Sequence, residues 1–267
     1  MPTAHRPLTH AELLPRGPLR RLGRRMYVRN TIDSTNAFLL RAAFTAGDGA
    51  VAWAEYQSAG RGRLGRRWDS PRGASILLSA LLIEPHVSPL ISQATLLAAV
   101  AACEAIEQAT TCTPGIRWPN DLVLDRRKVG GVLAESCAVP EGRAVVIGVG
   151  INVYQQPGHF SSELSGPATS LECASVQTID RAGVAAALLQ RLDDWLVSTA
   201  GQPEGWKQLR TAWHARCVDV GTHVTLTQGG RTYAGTALDV AEEGDLIVQL
   251  DEGGRTFFAA ATTTRSW

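Results

Sequence analysis

The sequence predicts an α+β protein: a mixed β-sheet catalytic domain with helices, followed by a small C-terminal β-barrel. Three observations carry this reading. Apolar runs of strand length follow one another in hairpin order, only occasional helical stretches interrupt them, and beyond residue 216 the texture changes to closely spaced alternating strands.

Taken in order, residues 1–25 form a polar, Pro-containing lead-in with a basic cluster, RGPLRRLGRR, expected to be solvated because no aromatic residue interleaves its arginines. Residues 26–32 read as a strand. Asp33 or Ser34 caps a helix that runs to about residue 46 and stops at Gly47. AVAWAEY (50–56) is a strand leading into a glycine-arginine loop, and SILLSALLI (75–83), apolar on both faces, is interior to a covered sheet. An Ala/Leu-rich helix spans about 88–109. Strands follow at 116–118, 122–125, 129–137 and 144–153, joined by tight turns. A Gly/Pro/Ser-rich surface loop (154–170) and two helices (about 180–199 and 203–214) complete a domain of residues 26–216. Residues 217–267 alternate in strand period between Gly-containing turns and read as the barrel.

Bulk composition excludes several classes. The 267 residues are 45% hydrophobic and 19% charged with a formal net charge of +1, so no global field draws the chain to nucleic acid or anionic lipid. Five scattered cysteines without C-x-x-C argue against a disulfide framework or a zinc site, and the six histidines form no metal-binding spacing. No G-x-S-x-G is present and no apolar signal segment opens the chain. The longest uninterrupted apolar run (96–103) is far shorter than the roughly 20 residues a bilayer requires. A cytoplasmic protein without a membrane partner is expected.

The loop AGRGRLGRRW (59–68) is the strongest local signal. Gly60, Gly62 and Gly65 satisfy G-x-G-x-x-G, but Pro71 and Gly73 forbid the helix that a dinucleotide site requires, and Arg66-Arg67 replace the Lys-Ser/Thr of a phosphate-binding loop. Four further stretches place polar groups or glycines where a plain core would not want them. DSTN (33–36) suits a helix cap as well as a site. RWPND (117–121), with Pro119 inside a strand, holds Asn120 and Asp121 either toward a polar partner or in a turn. RRKVGGVLAE (126–135) and GVGINV (148–153) carry glycine pairs that mark a close approach or a β-bulge. Only two of the 26 basic residues are lysines, so Lys128, beside a glycine pair, suggests a site that wants a compact ammonium.

DSTN, EYQSAGRGRLGRRW, RWPND, RRKVGGVLAE and GVGINV, in this order, resemble the biotin protein ligases over about residues 26–267. The resemblance implies a monofunctional enzyme that activates biotin with ATP and Mg2+ as biotinyl-5'-adenylate, then transfers it to a lysine of a biotin carboxyl carrier domain. It also leaves room for a homodimer. Ser34, Thr35, Asn36 and Gln57 are similar to the biotin-pocket polar groups, and Arg61, Gly62 and Arg63 to a loop that closes over biotin and its adenylate. Lys128 matches the lysine that contacts carboxylate and phosphate. Trp68 matches the residue that packs on adenine, with Arg63 beside it on the ATP. Asn120, Asp121 and Asn152 lie where the family handles triphosphate, magnesium and the incoming amine, with Asp121 either base or magnesium ligand. Gly131, Gly148 and Gly150 are expected to let the strands lie close to the biotin rings. By this carry-over Arg61, Arg63, Lys128 and Asp121 are the catalytic set.

Three departures accompany the resemblance. Arg117 stands where lysine often precedes WPND, and the chain ends FFAAATTTRSW without the Gly-Glu that commonly closes the barrel. Only 32 residues precede DSTN, too few for the winged-helix domain of bifunctional members, so no DNA binding is expected. A lipoate or octanoate ligase shares this fold and is the nearest alternative. A non-catalytic nucleotide-binding module is the more distant one.

Overall fold

The computed structural model describes residues 6–161 and 166–267. The order of elements is α1 (His10–Leu13), β1 (Arg25–Arg29), α2 (Thr35–Arg41), α3 (Ala43–Ala46), β2 (Ala50–Ala54), β3 (Ser75–Glu84) and α4 (Leu90–Ala109). The meander β4 (Gly115–Arg117), β5 (Asp121–Leu124), β6 (Arg127–Val139) and β7 (Gly142–Asn152) follows, then α5 (Leu171–Ala174), α6 (Arg181–Thr199) and α7 (Pro203–Arg216). Last come β8 (His223–Gln228), β9 (Arg231–Val240), β10 (Leu246–Leu250), β11 (Arg255–Phe258) and β12 (Thr264–Arg265).

The first seven strands form one mixed sheet, ordered β1-β2-β3-β7-β6-β5-β4, in which β1 and β2 run parallel and the other neighbours antiparallel. Strand period decides what lies on each face. Val51, Trp53, Ile76, Leu78, Ala80, Val145, Ile147 and Val149 point to one side and join the large core built with α4, α6 and α7. Ala50, Ala52, Leu81, Ala144 and Val146 point to the other and pack under Leu39, Ala43 and Ala46 of α2 and α3. Both faces of β3 are thus covered, as its apolar run requires. The short helices α2 and α3 cover only part of the second face. What they leave uncovered becomes the site.

Several expectations need correction. The helix expected over 33–46 is broken at Ala42 (φ −88°, ψ 3°) into α2 and α3, with Ser34 as cap and Gly47 (φ 79°) as stop. Pro119 lies in the turn between β4 and β5, after a cis Trp118–Pro119 peptide, rather than within a strand. Helix α4 has 20 residues and is long and apolar enough to cross a bilayer, more than the eight-residue run suggests; it is mostly buried against the sheet, α6 and α7. The C-terminal strands form an open antiparallel sheet, β11-β10-β9-β8-β12, whose edge strands do not pair with each other among the described residues, so the expected barrel is not closed. Residues 162–165 of the expected surface loop lie outside the described residues.

Residues 6–25 of the N-terminal lead-in do not form a solvated tail. Leu8, Leu13 and Leu22 are buried in the main core. The fully buried carboxylate of Asp193, on α6, accepts the backbone N–H groups of Arg20 (2.7 Å), Arg21 (2.8 Å) and Leu22 (2.7 Å). Glu55 similarly accepts Leu8 N–H (2.8 Å) and Trp53 Nε1 (2.9 Å) while pairing with buried Arg181 (2.8 Å). Three N–H donors converging on one carboxylate leave an amide unable to replace it. Asp193→Asn is therefore expected to destabilise the protein by about 2–3 kcal/mol, since a hydrogen bond to a charged group contributes about 1.5–3 kcal/mol. A lowered urea midpoint at unchanged slope would show it.

Candidate active site

The uncovered part of the second sheet face is hollow because three of its positions have no side chain. Strand register places Leu77, Gly150 and Gly131 in one cross-strand row and Ser79, Gly148 and Leu133 in the next. Over these rows opens a cavity of about 570 Å³, and every residue to which the family resemblance gives a role lines it: Ser34, Thr35, Asn36, Gln57, Arg61, Gly62, Arg63, Trp68, Asn120, Asp121, Lys128, Gly131, Gly148, Gly150 and Asn152. The glycines do more than clear space for a ligand. A Cβ on Gly148 would lie 2.1 Å from Asn36 Oδ1, and one on Gly150 would lie 2.8 Å from the Trp68 indole, so these two admit protein side chains. A Cβ on Gly131 would meet only ordinary contacts, the nearest being Lys128 Cε at 3.5 Å. The glycine pair in β6 sits beside a register shift opposite Leu122 and Val123, which is the bulge the sequence allowed; β7 runs past β3 and β6 without one.

One end of the cavity is a hydrogen-bonded polar floor. Ser34 caps α2, its Oγ accepting Ala37 N–H at 3.4 Å, and the next two side chains turn into the pocket. Gln57 Oε1 accepts Thr35 N–H (2.7 Å) and lies 3.0 Å from Thr35 Oγ1. Ser79 Oγ, fully buried, lies 2.6 Å from Asn36 Oδ1 and 2.7 Å from Thr35 Oγ1. Asn36 Nδ2 donates to Leu133 O (3.0 Å) and Glu135 Oε2 (2.9 Å). With its carbonyl held by Thr35, Gln57 keeps its amide N–H groups for a ligand.

The other end is cationic. The glycine-arginine loop folds back on itself through Gly62 N–H to Arg66 O (2.7 Å) and Trp68 N–H to Gly60 O (3.0 Å), reversing at Leu64 (φ 55°) and Gly65 (φ 76°). Arg61 pairs with Glu135 (2.9 Å). Arg63 donates to Asn120 Oδ1 (3.3 Å), Thr263 O (3.1 Å) and Ala260 O, so the loop touches both the β4–β5 turn and the C-terminal segment. Burial pushes the Arg63 pKa down, with Asp121 opposing and Arg66 adding to the effect. Lys128 Nζ is 2.5 Å from Asp121 Oδ1 and 6.0 Å from the centre of a Trp68 ring. The Trp68 indole N–H is buried and finds no hydrogen-bond partner among the described residues. Among the described residues, seven basic side chains (Arg61, Arg63, Arg66, Arg67, Arg117, Lys128 and Arg265) face two acidic ones, Asp69 and Asp121, around the cavity, an imbalance suited to a polyanion.

Two predicted residues are less available than expected. Asn152 spends its amide internally, donating to Thr169 O (3.0 Å) and accepting from Gln155 Nε2 (2.8 Å). Asn120 is also held, donating to Val132 O (2.8 Å) while it accepts from Arg63. Arg117 is buried, donates to Ser266 O and lies 3.6 Å from the centre of a Trp267 ring. Burial and neighbouring Arg265 lower its pKa to about 10, with Asp219 and Asp121 opposing, so it stays charged at neutral pH. Asp219, which accepts Trp118 N–H (2.7 Å) and pairs with Arg265 (2.7 Å), has its pKa pushed up by burial against the pull of Arg265.

Residues 28–152 match the Biotin/lipoate A/B protein ligase family, and residues 220–264 match the Biotin protein ligase C terminal domain. The chain is 34% identical over 247 residues to the bifunctional ligase/repressor BirA of Bacillus subtilis, covering 90% of this chain and 74% of the relative. It belongs to the biotin protein ligase family. The biotin--[acetyl-CoA-carboxylase] ligase of Mycobacterium tuberculosis is 36% identical over 242 residues, covering 85% of this chain and 84% of the relative. Among solved structures, the Aquifex aeolicus biotin protein ligase in complex with biotin and ATP superposes with a TM-score of 0.74 at 25% identity, covering 91% of this chain and all of that one.

Sequence reasoning missed several residues that line or buttress this biotin-ligase site. Ser79 hides in an apolar strand, and Glu135 in an alternating one looks like a surface charge. Arg265 and Trp267 belong to a segment more than 130 residues from the motifs they face. The tight seat of Trp68 on Gly150 yields a test. In Gly150→Ala the new methyl overpacks the indole at a cost of about 1–3 kcal/mol, and the loop over it is expected to open. Trypsin should then cut among Arg61–Arg67 faster than in wild type while the global urea midpoint moves little.

Proposed function

We propose that this biotin protein ligase activates biotin with ATP to biotinyl-5'-adenylate and transfers the biotinyl group to a lysine of a biotin carboxyl carrier protein. The observation that carries this reading is one cavity with a polar floor beside Gln57 and Thr35 and a cationic end around Lys128, Arg61 and Arg63. The match of residues 220–264 to a biotin-ligase domain favours biotin over lipoate or octanoate.

The polar floor suits a cyclic urea, which offers one carbonyl acceptor and two N–H donors. Ser34, Thr35 and Gln57 are assigned to it. Leu77 and the bare backbone at Gly131 are assigned to the rings, and the Trp68 face, whose N–H has no partner among the described residues, to adenine. In the first step the biotin carboxylate attacks the α-phosphorus, the P–O bond to the β-phosphate breaks, and pyrophosphate leaves. Both reactants are anions, so fixed cations supply the main stabilisation; losing one such donor costs on the order of 3 kcal/mol. Lys128 and Arg63 are assigned to the carboxylate and phosphates, with Arg61 in the covering loop. In the second step the carrier amine attacks the acyl carbon and AMP leaves. Asp121, already paired with Lys128, either takes the proton of that ammonium or serves magnesium. Magnesium arriving with the triphosphate needs only one or two protein carboxylates, in keeping with the absence of any cluster of three metal-ligating side chains among the described residues.

The loop of residues 60–68 is assigned as a cover that keeps water from the mixed anhydride. Ordering a nine-residue loop costs on the order of 9–18 kcal/mol, which several charge-assisted contacts to the adenylate would offset. The division into residues 26–216 and 217–267 is part of the proposal. The described cysteine thiols are all free, in keeping with a reducing, cytoplasmic setting.

Incubation with biotin, MgATP and a biotin carboxyl carrier domain tests the function. Biotin-dependent pyrophosphate release and the mass gain of one biotinyl group on the carrier are expected. Lys128→Gln should lower the pyrophosphate rate roughly 10²-fold or more. A carrier left unmodified by the wild-type enzyme would refute the assignment.

A further inference from the structure

We propose that Glu135 is a positioning residue that ties the covering loop to the polar floor, so that closing the loop and setting the floor's hydrogen-bond polarity are one event. The proposal rests on the biotin-ligase reading of the site and adds to it a residue that none of the motif assignments includes.

Glu135 stands on β6 opposite Val146, one row beyond Ser79, Gly148 and Leu133, and its side chain is 19% exposed. Its two oxygens serve two masters. Oε1 lies 2.9 Å from Arg61 Nη2 in the loop, and Oε2 accepts Asn36 Nδ2 at 2.9 Å at the start of α2. A carboxylate accepts only, so it forces the NH2 of Asn36 toward itself and Leu133 O, and turns Asn36 Oδ1 toward Ser79. Counting protons then fixes the rest of the floor. Ser79 carries one hydroxyl proton and the Asn36 carbonyl oxygen can only accept, so that proton goes to Asn36 at 2.6 Å. Thr35 Oγ1 must then give its own proton to Ser79 Oγ (2.7 Å), and the link from Thr35 to Gln57 Oε1 is the Thr35 backbone N–H. Gln57 Oε1 stays an acceptor for Thr35 N–H, which leaves the Gln57 NH2 as the donor offered to the ligand. The chain Arg61–Glu135–Asn36–Ser79–Thr35–Gln57 thus runs unbroken from loop to floor. Gly148 makes room for it, since any Cβ there would strike Asn36 Oδ1.

A glutamine at position 135 keeps the shape but breaks the logic. Its amide has one accepting atom for two donors, so either Arg61 or Asn36 faces an NH2 group. The expected result for Glu135→Gln, measured on the full chain with wild type in parallel, is a rise of about tenfold in the KM for biotin, the size of coupling between contacting residues. Escape of biotinyl-adenylate should rise with it, read as biotin appearing on a bystander protein supplied in place of the carrier. Arg61→Gln should raise the same escape. The double variant should leak no more than Arg61→Gln alone, because both act through one link. Wild-type KM and escape in a Glu135→Gln protein that only melts lower would reduce the residue to fold support and overturn the proposal, as would escape rates that multiply in the double variant. If Glu135→Gln does not fold, Glu135→Asp, which keeps the charge one methylene short, reads the same quantity: raised escape supports the link and wild-type escape overturns it. Carrier biotinylation by the wild-type enzyme in the same assays keeps failure of this proposal separate from failure of the function itself.

Discussion

A β-sheet shows alternate residues to opposite faces, so a site on its surface can be hollowed only by removing side chains from every second position of neighbouring strands. This chain removes them at Gly131, Gly148 and Gly150, three positions that register brings side by side in β6 and β7. Other features follow from that constraint. Asn36 reaches the floor because Gly148 has no Cβ, and Trp68 seats on the sheet because Gly150 has none. The opposite face of the same strands carries Val145, Ile147, Val149 and Val132 and is clamped by α4, α6 and α7, which keeps the hollow rigid.

Charge is arranged with equal economy. With a formal net charge of only +1, the chain gathers arginines around the cavity and ties its cations there to anchors that a polyanion can supplement: Arg61 to Glu135, Lys128 to Asp121, Arg63 to Asn120 and two carbonyls. Such anchoring preorganises the site, since cations already oriented need less rearrangement as charge builds on the reacting groups. It also explains why the C-terminal sheet packs where it does. Through Arg63 and Arg117 the end of the C-terminal segment is held against the site, and Thr264, Arg265 and Trp267 line one side of the cavity.

Much of this was legible in the sequence because motif, period and punctuation agreed. The double-faced apolar run of β3, the Ser34 cap, the Gly47 stop and the meander of β4 to β7 are local signals, and each of the five motifs contributes residues to the same cavity. What was not legible depends on partners far apart in the chain. The leucines of the lead-in are too few and too irregular to mark a core, and only the buried Asp193 reveals why the segment is fixed. Glu135 looks like the exposed member of an alternating strand until Asn36 and Arg61 arrive from 99 and 74 positions away. Alternation in residues 217–267 announced strands, but period alone does not say whether their edges meet, and here they do not.

Of the three glycines, Gly131 separates space kept for protein from space kept for ligand. A methyl group there touches the protein only at ordinary distances of 3.5 Å and beyond, so Gly131→Ala should fold with wild-type stability. Calorimetric titration of that variant with biotin is the most direct measurement. Loss of about tenfold or more in affinity, the scale of about 1–3 kcal/mol for overpacking by one methyl group, is the result this account predicts. Wild-type affinity in a fully folded Gly131→Ala protein would mean that the hollow above the glycines is not where biotin lies.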